Sequence, residues 1–449
     1  MSPFSALTVN VLKPVNNSAK KALNKLPYGL VSVLAALSAF GAYTCMYAFR
    51  KAFAAGTYPG IEFMHVSYKA WLVIAQVIGY TMSKFYGIRF IAEVKALNRG
   101  KSILLLIGLS WLALLAFAIV PAPYNIIFLF INGFPLGMIW GLIFGYLEGR
   151  KFTEFMAAVL SISLIFASGF VKTVARTLTG NFHLNQFYMP FCTGALFVVP
   201  LLIFVFLLEA MPPPTEEDKR LRTERIPMNA SERKAFLARF LPGIVLTVII
   251  YVMLTVIRDI RDNFEVEIWN GLGVISNSVY TSIDSIISVS ILAAISLLIL
   301  VKDNLKAFGI IHLFIICGCL LAGISTILFN AGSINAYTWM TLAGLGLYAG
   351  YVPYNAIFFE RMIASFHLKS NVGFVMYIAD AVGYLGSVTV LLVKELGSPN
   401  ISWNSFFKDA LMILAVIGVI AGSLSFIYFL HSARRMHTKQ TALNLSSVQ

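Results

Sequence analysis

Along this chain, twelve stretches of about twenty mainly apolar residues alternate with short polar connections, each stretch long enough to cross a bilayer as a helix. In the first half they run approximately 28–50, 67–90, 101–121, 123–146, 154–177 and 188–209, and in the second approximately 240–260, 276–301, 307–329, 334–359, 371–394 and 406–431. The longest polar stretch, "MPPPTEEDKRLRTERIPMNASERKAFLARF", separates the two sets, and its proline run at Pro212 to Pro214 closes the sixth span because proline cannot continue a helix. The pattern predicts an all-α integral membrane protein of twelve transmembrane helices in two six-helix halves. Its expected parts are an amino-terminal tail (1–27), a first half (28–209), a central connection (210–239), a second half (240–432) and a carboxy-terminal tail (433–449).

Composition supports the same class, since 59% hydrophobic residues, 12% charged residues and a mean hydropathy of +0.81 exceed what a soluble core can hide. The net charge of +14 does not point to nucleic acid, because the basic residues fall in short clusters between apolar stretches. Lys13, Lys20, Lys21 and Lys25 precede the first span, Lys95, Arg99 and Lys101 fill the second connection, and Arg150 and Lys151 the fourth. The third and ninth connections carry no lysine or arginine, so the even connections and both termini are expected in the cytoplasm, with the protein multi-pass in the cell membrane. Residues 1–26 lack the apolar core and cleavage site of a signal peptide and read as a cytoplasmic tail. Cys45, Cys192, Cys317 and Cys319 lie in apolar segments without redox or metal spacing, and the six histidines are scattered. With no nucleotide loop, metal cluster or nucleophile elbow, neither an enzyme nor a bound metal or cofactor is expected.

Within this apolar background two arginines occupy matching places, Arg50 in "YTCMYAFRKAF" and Arg258 in "YVMLTVIRDIRDNF", each with a tyrosine seven residues earlier, Tyr43 and Tyr251. Seven residues are about two helical turns, so each pair shares a face. A guanidinium at a helix centre costs about 2.5–3.5 kcal/mol on insertion scales and is kept where it meets an anion or lines a watery cavity. One arginine per half suggests an anion clamp, since a planar guanidinium grips two oxygens at once.

Four local stretches, "YTCMYAFRK", "GYTMSKFYG", "INGFPLGMIWG" and "DAVGYLGSV", resemble helices one, two, four and eleven of the organophosphate:phosphate antiporters of the major facilitator superfamily. That resemblance implies the major facilitator fold, two repeats about an axis along the membrane normal. It implies substrate-binding roles for Tyr43, Tyr47, Arg50 and Lys51 on helix one, for Tyr80 and Lys84 on helix two, and for Arg258 on helix seven as the second phosphate arginine. Gly383, Tyr384 and Gly386 match a close-packing element of helix eleven. Two features depart from the pattern: helix five, "SLIFASGFVKTVAR", has no histidine, and "GIRFIAEVKALNRGK" lacks the aspartate-arginine pair of the usual gating motif.

Asp380 and Asp284 stand in apolar helices as coupling or counter-ion groups. Glu148 and Arg150, with Glu360 and Arg361, end helices four and ten and are expected as gating ion pairs between the halves. Arg261 is expected in a structural ion pair, with Asp259, Asp262, Glu265 and Glu267 nearby. The functional expectation is a secondary transporter of a small organic anion, foremost an organophosphate exchanged for inorganic phosphate by alternating access, acting as a monomer with lipid as its surroundings. Two alternatives stay open: a proton-coupled symporter of a carboxylate, peptide or zwitterion using Asp380, and a membrane receptor for a phosphorylated ligand.

Overall fold

The computed structural model describes residues 20–93, 99–214, 218, 230–274, 276–366, 372–397 and 401–446. Its contacts divide the chain into two units, residues 1–223 with 276–282, and residues 224–275 with 283–449. The first unit contains α1 (Tyr28–Lys51) with a 3₁₀ turn at Ala52–Ala55, a two-stranded antiparallel ribbon of β1 (Glu62–Phe63) and β2 (Val66–Ser67), and then α2 (Tyr68–Glu93) and α3 (Arg99–Ile119). It continues through α4 (Ile126–Leu136), α5 (Ile139–Phe144), α6 (Thr153–Asn181) and α7 (Met189–Ala210). The second unit runs through α8 (Ala230–Gly271), α9 (Val279–Ile299) from residue 283 onward, α10 (Asn304–Asn330), α11 (Ala336–Pro353), a π turn at Tyr354–Phe358, α12 (Phe359–Ser365), α13 (Val372–Gly397) and α14 (Trp403–Ser446).

Among the described residues, nine helical stretches are long and apolar enough to cross a membrane, and α2, α11 and α13 stand at the other three predicted spans. Large apolar side chains such as Leu105, Leu112, Val199, Leu297, Val393 and Ile427 face outward, as a lipid-solvated surface requires. Helix starts follow local chemistry: the Asp303 carboxylate accepts the Lys306 amide at 3.0 Å, and the Asn335 side chain accepts the Thr338 amide at 2.9 Å.

Four elements differ from the sequence pattern. The fourth span is two helices, because Pro135 supplies no amide proton and its ring clashes with the preceding turn, so α4 ends at Leu136 and α5 starts at Ile139. The tenth span changes to π geometry after Pro353 for the same reason. The seventh begins at Ala230 rather than 240, since "ASERKAFLAR" is rich in helix formers, and it kinks at Phe264 (φ −117°, ψ 17°), whose ring stacks on Trp403 at 3.5 Å between centroids. The last helix continues beyond 432 to Ser446. Residues 1–19 of the expected amino-terminal tail, 215–217 and 219–229 of the central connection and 447–449 of the carboxy-terminal tail lie outside the described residues.

Packing is closest where glycines meet backbone. A Cβ on Gly79 would lie 2.3 Å from the Phe130 carbonyl oxygen, and one on Gly133 would lie 2.3 Å from that of Gln76, so α2 and α4 touch main chain to main chain. Gly318 and Gly346 do the same for α10 and α11, at 2.6 and 2.5 Å.

Candidate functional site

In the first unit the last two turns of α1 carry Tyr43, Tyr47, Arg50 and Lys51, all buried. The Arg50 guanidinium lies 3.9 Å from the centre of the Tyr80 ring on α2 and 5.6 Å from that of Tyr47, and Lys84 places its ammonium 5.3 Å from the same Tyr80 ring. Tyr80 and Lys84 are four residues apart, so one face of α2 holds two cations around one aromatic ring. Tyr43 and Tyr47 pack at 5.5 Å, which extends the aromatic wall along α1. Lys51 is 2% exposed and therefore does not snorkel to an interface. Buried Lys172, on α6, donates to the Ser168 hydroxyl at 2.8 Å.

Sequence reading missed the polar residues beneath this cluster. Gln76 of α2, Ser110 of α3 and Asn132 of α4 are buried and hydrogen-bonded to one another or to the end of α1. A glutamine, a serine and an asparagine inside apolar helices were the available signal, since buried amides in a membrane need partners. Asn132 lies in the "INGFPLGMIWG" motif, where its chemistry went unassigned.

The second unit builds a different environment around its arginine. Arg258 Nη2 pairs with Asp259 Oδ1 at 2.7 Å, and Asp259 Oδ2 accepts the Ser387 hydroxyl at 2.8 Å. The Arg258 guanidinium lies 4.3 Å from the centre of the Tyr351 ring and 5.9 Å from that of Tyr384, and Arg258 Nη1 donates to the Tyr351 hydroxyl. Tyr251 stacks on Tyr351 at 5.6 Å and donates its hydroxyl hydrogen to Asp380 Oδ1. Thus Asp380 meets the tyrosine that shares a face with Arg258. Tyr351 of α11 and Ser387 of α13 come to this cluster from distant parts of the sequence.

Arg261 is fully buried and bridges Asp284 Oδ1 at 2.7 Å and Glu265 Oε1 at 3.4 Å. Asp284 is therefore a counter-ion of Arg261.

Arg150 and Arg361 serve helix ends within their own units. Arg150 donates to the Pro212 carbonyl at 2.6 Å just beyond α7, and Arg361 donates to the Val301 carbonyl at 3.2 Å and to Asn304 Oδ1 at 2.8 Å between α9 and α10. Beside Arg150, buried Asp218 accepts the Tyr28 hydroxyl at 2.5 Å and the Lys151 amide at 2.8 Å. Burial lowers the Arg150 guanidinium from its ordinary value against the pull of Tyr28 and Asp218. Glu148 and Glu360 lie at the expected ends of the fourth and tenth spans. Among the described residues no group of three or more His, Cys, Asp or Glu side chains is arranged to hold a metal ion.

No curated protein matches the chain in sequence. Among solved structures, the crystal structure of a D-xylose-proton symporter aligns with a TM-score of 0.59 and 15% identity, covering 89% of this chain and 97% of the symporter. The crystal structure of a peptide transporter POT in complex with alafosfalin aligns with a TM-score of 0.55 and 13% identity, covering 91% of this chain and 98% of that one. At such identities the likeness concerns fold alone, and the fold is that of the major facilitator superfamily. A family match extends over residues 52–432, nearly the whole helical body, and the chain belongs to the Family of unknown function (DUF5690).

Proposed function

We propose that this protein is a secondary transporter of a small organic anion, with a phosphate monoester exchanged for inorganic phosphate as its first-choice cycle. The observation that carries the reading is the cation and aromatic cluster of the first unit, where the Arg50 guanidinium lies 3.9 Å from the centre of the Tyr80 ring and the Lys84 ammonium 5.3 Å from the same ring. The unit's helices bury Arg50, Lys51, Lys69 and Lys172. Buried cations gathered around aromatic rings suit a transient anionic guest, and the fork of Arg50 with the donors of Tyr43, Tyr47, Tyr80 and Lys84 suits a phosphate. An empty cationic cluster is costly to enclose and a loaded one is neutralised, so exchange is the economical cycle.

One observation favours a second reading, proton-coupled symport. The second unit buries Asp259, Asp262, Glu265, Asp284, Asp380 and Glu395 beside Arg258, Arg261 and Lys394, and carboxylates within spans are the groups from which proton relays in pumps and transporters are built. Proteoliposomes separate the readings. Exchange predicts that vesicles loaded with inorganic phosphate take up labelled phosphate or a phosphate monoester about a hundredfold faster than empty ones, equivalent to about 2.7 kcal/mol of barrier. Equal uptake by loaded and empty vesicles, driven by an inward proton gradient and lost in Asp380→Asn, would replace exchange with symport. Tight binding with no flux would leave a receptor.

A further inference from the structure

A helix that stops inside a protein leaves its last carbonyls without intrahelical donors, and each buried one needs a donor from elsewhere. α1 stops at Lys51 in such a place, with Phe49, Arg50, Lys51 and the following Ala52–Ala55 all buried. Two side-chain amides meet the carbonyls there. Asn132 Nδ2 donates to the Phe49 carbonyl at 3.0 Å, and Gln76 Nε2 donates to the carbonyl of Arg50 itself at 2.7 Å. The amides are joined to each other, Gln76 Nε2 donating to Asn132 Oδ1 at 2.7 Å. Asn132 is tied in turn to α3, donating to the Ser110 carbonyl at 3.0 Å and accepting the Ser110 hydroxyl on its own carbonyl at 3.0 Å. Both N–H donors of each amide are used, and turning either amide over would set oxygen against oxygen.

The brace explains two other features. Gln76 and Asn132 reach each other only because α2 and α4 touch at backbone distance, which Gly133 permits. Gln76 and Tyr80 are four residues apart on one face of α2, so this single face holds Arg50 at both ends, by its carbonyl and under its guanidinium. We infer that Gln76 and Asn132 are positioning residues for the anion site, fixing the end of α1 so that the Arg50 guanidinium stays over Tyr80; this rests on the anion-binding role proposed for Arg50.

The test is equilibrium binding of inorganic phosphate to the full-length purified protein. Gln76→Met keeps side-chain length and apolar volume while deleting both donors. It is expected to weaken phosphate binding about tenfold, the lower end of what losing a ligand-orienting partner costs at metal sites. The same change in an Arg50→Lys background should cost much less than tenfold, because a misplaced residue cannot be misplaced again. Equal loss in both backgrounds, or wild-type affinity in Gln76→Met, overturns the positioning role. Asn132→Ser repeats the test from α4, and loss of folded protein in both variants would assign the brace to stability alone and overturn the inference. A wild type that binds no phosphate overturns the anion reading and this inference with it, a result distinct from a wild type that binds and a Gln76→Met protein that binds equally well.

Discussion

The two arginines that look equivalent in sequence are expected to respond oppositely to removal, and Arg258 provides the sharper measurement. Its Nη2 is 2.7 Å from Asp259 Oδ1, with the side chains 7% and 5% exposed, and Asp259 is held from its other oxygen by Ser387. At that distance the attraction is about 6 kcal/mol for an effective dielectric constant of about 20. Most of this offsets the desolvation of two charges, so the pair itself contributes little net stability. Breaking it is another matter: Arg258→Met leaves the Asp259 carboxylate buried without its cation, at about 3–5 kcal/mol. Asp259→Leu alone strands the guanidinium at similar cost, although Tyr351 and Tyr384 soften this through their ring faces. The double variant removes both charges and is expected to recover most of the loss, giving a coupling energy of about 2 kcal/mol or more in a double-mutant cycle. Thermal unfolding of detergent-purified protein, or unfolding in a mixed micelle, reads the cycle directly. Additive losses, or a double variant less stable than both singles, would refute the account of Arg258 as a guanidinium already neutralised within its own unit.

Arg50→Lys should retain folding and stability within about 1 kcal/mol yet lower phosphate affinity at least thirtyfold, because a point charge replaces a fork that binds two oxygens; near-normal affinity by titration would remove Arg50 from the site. Topology is checked with single cysteines in exposed connections: Ser333→Cys should react with an impermeant thiol reagent in intact cells, whereas Lys302→Cys should need permeabilised cells, and the reverse pattern would invert the orientation.

Much of the fold was legible before any coordinates because lipid imposes a one-dimensional rule: a span must satisfy its own backbone and present apolar side chains for about twenty residues. That rule exposed the two sets of spans, the polar stretch between them, and the few ionisable residues whose cost of burial marks them out. Local helical periodicity also placed Tyr43 and Tyr47 with Arg50, and Tyr80 with Lys84, since these neighbours are set by the turn of one helix. What periodicity cannot express is which helices meet, and at what height. The breaks at Pro135 and Pro353 depend on how each helix recovers from a missing donor, and both appeared in sequence as uninterrupted spans.

The partners of the charged groups were decided only by tertiary packing. Asp284 is joined to Arg261 from another helix, and Asp380 receives Tyr251 across 129 positions of sequence. Gln76 and Asn132, 56 positions apart, meet under the carbonyl end of α1. Charge type and helix face are local properties, so the chain determined by itself that Arg50 and Arg258 sit within spans beside tyrosines. Whether an arginine is already neutralised depends on atoms brought within 3 Å by packing, where desolvation and pairing nearly cancel and geometry settles the sign.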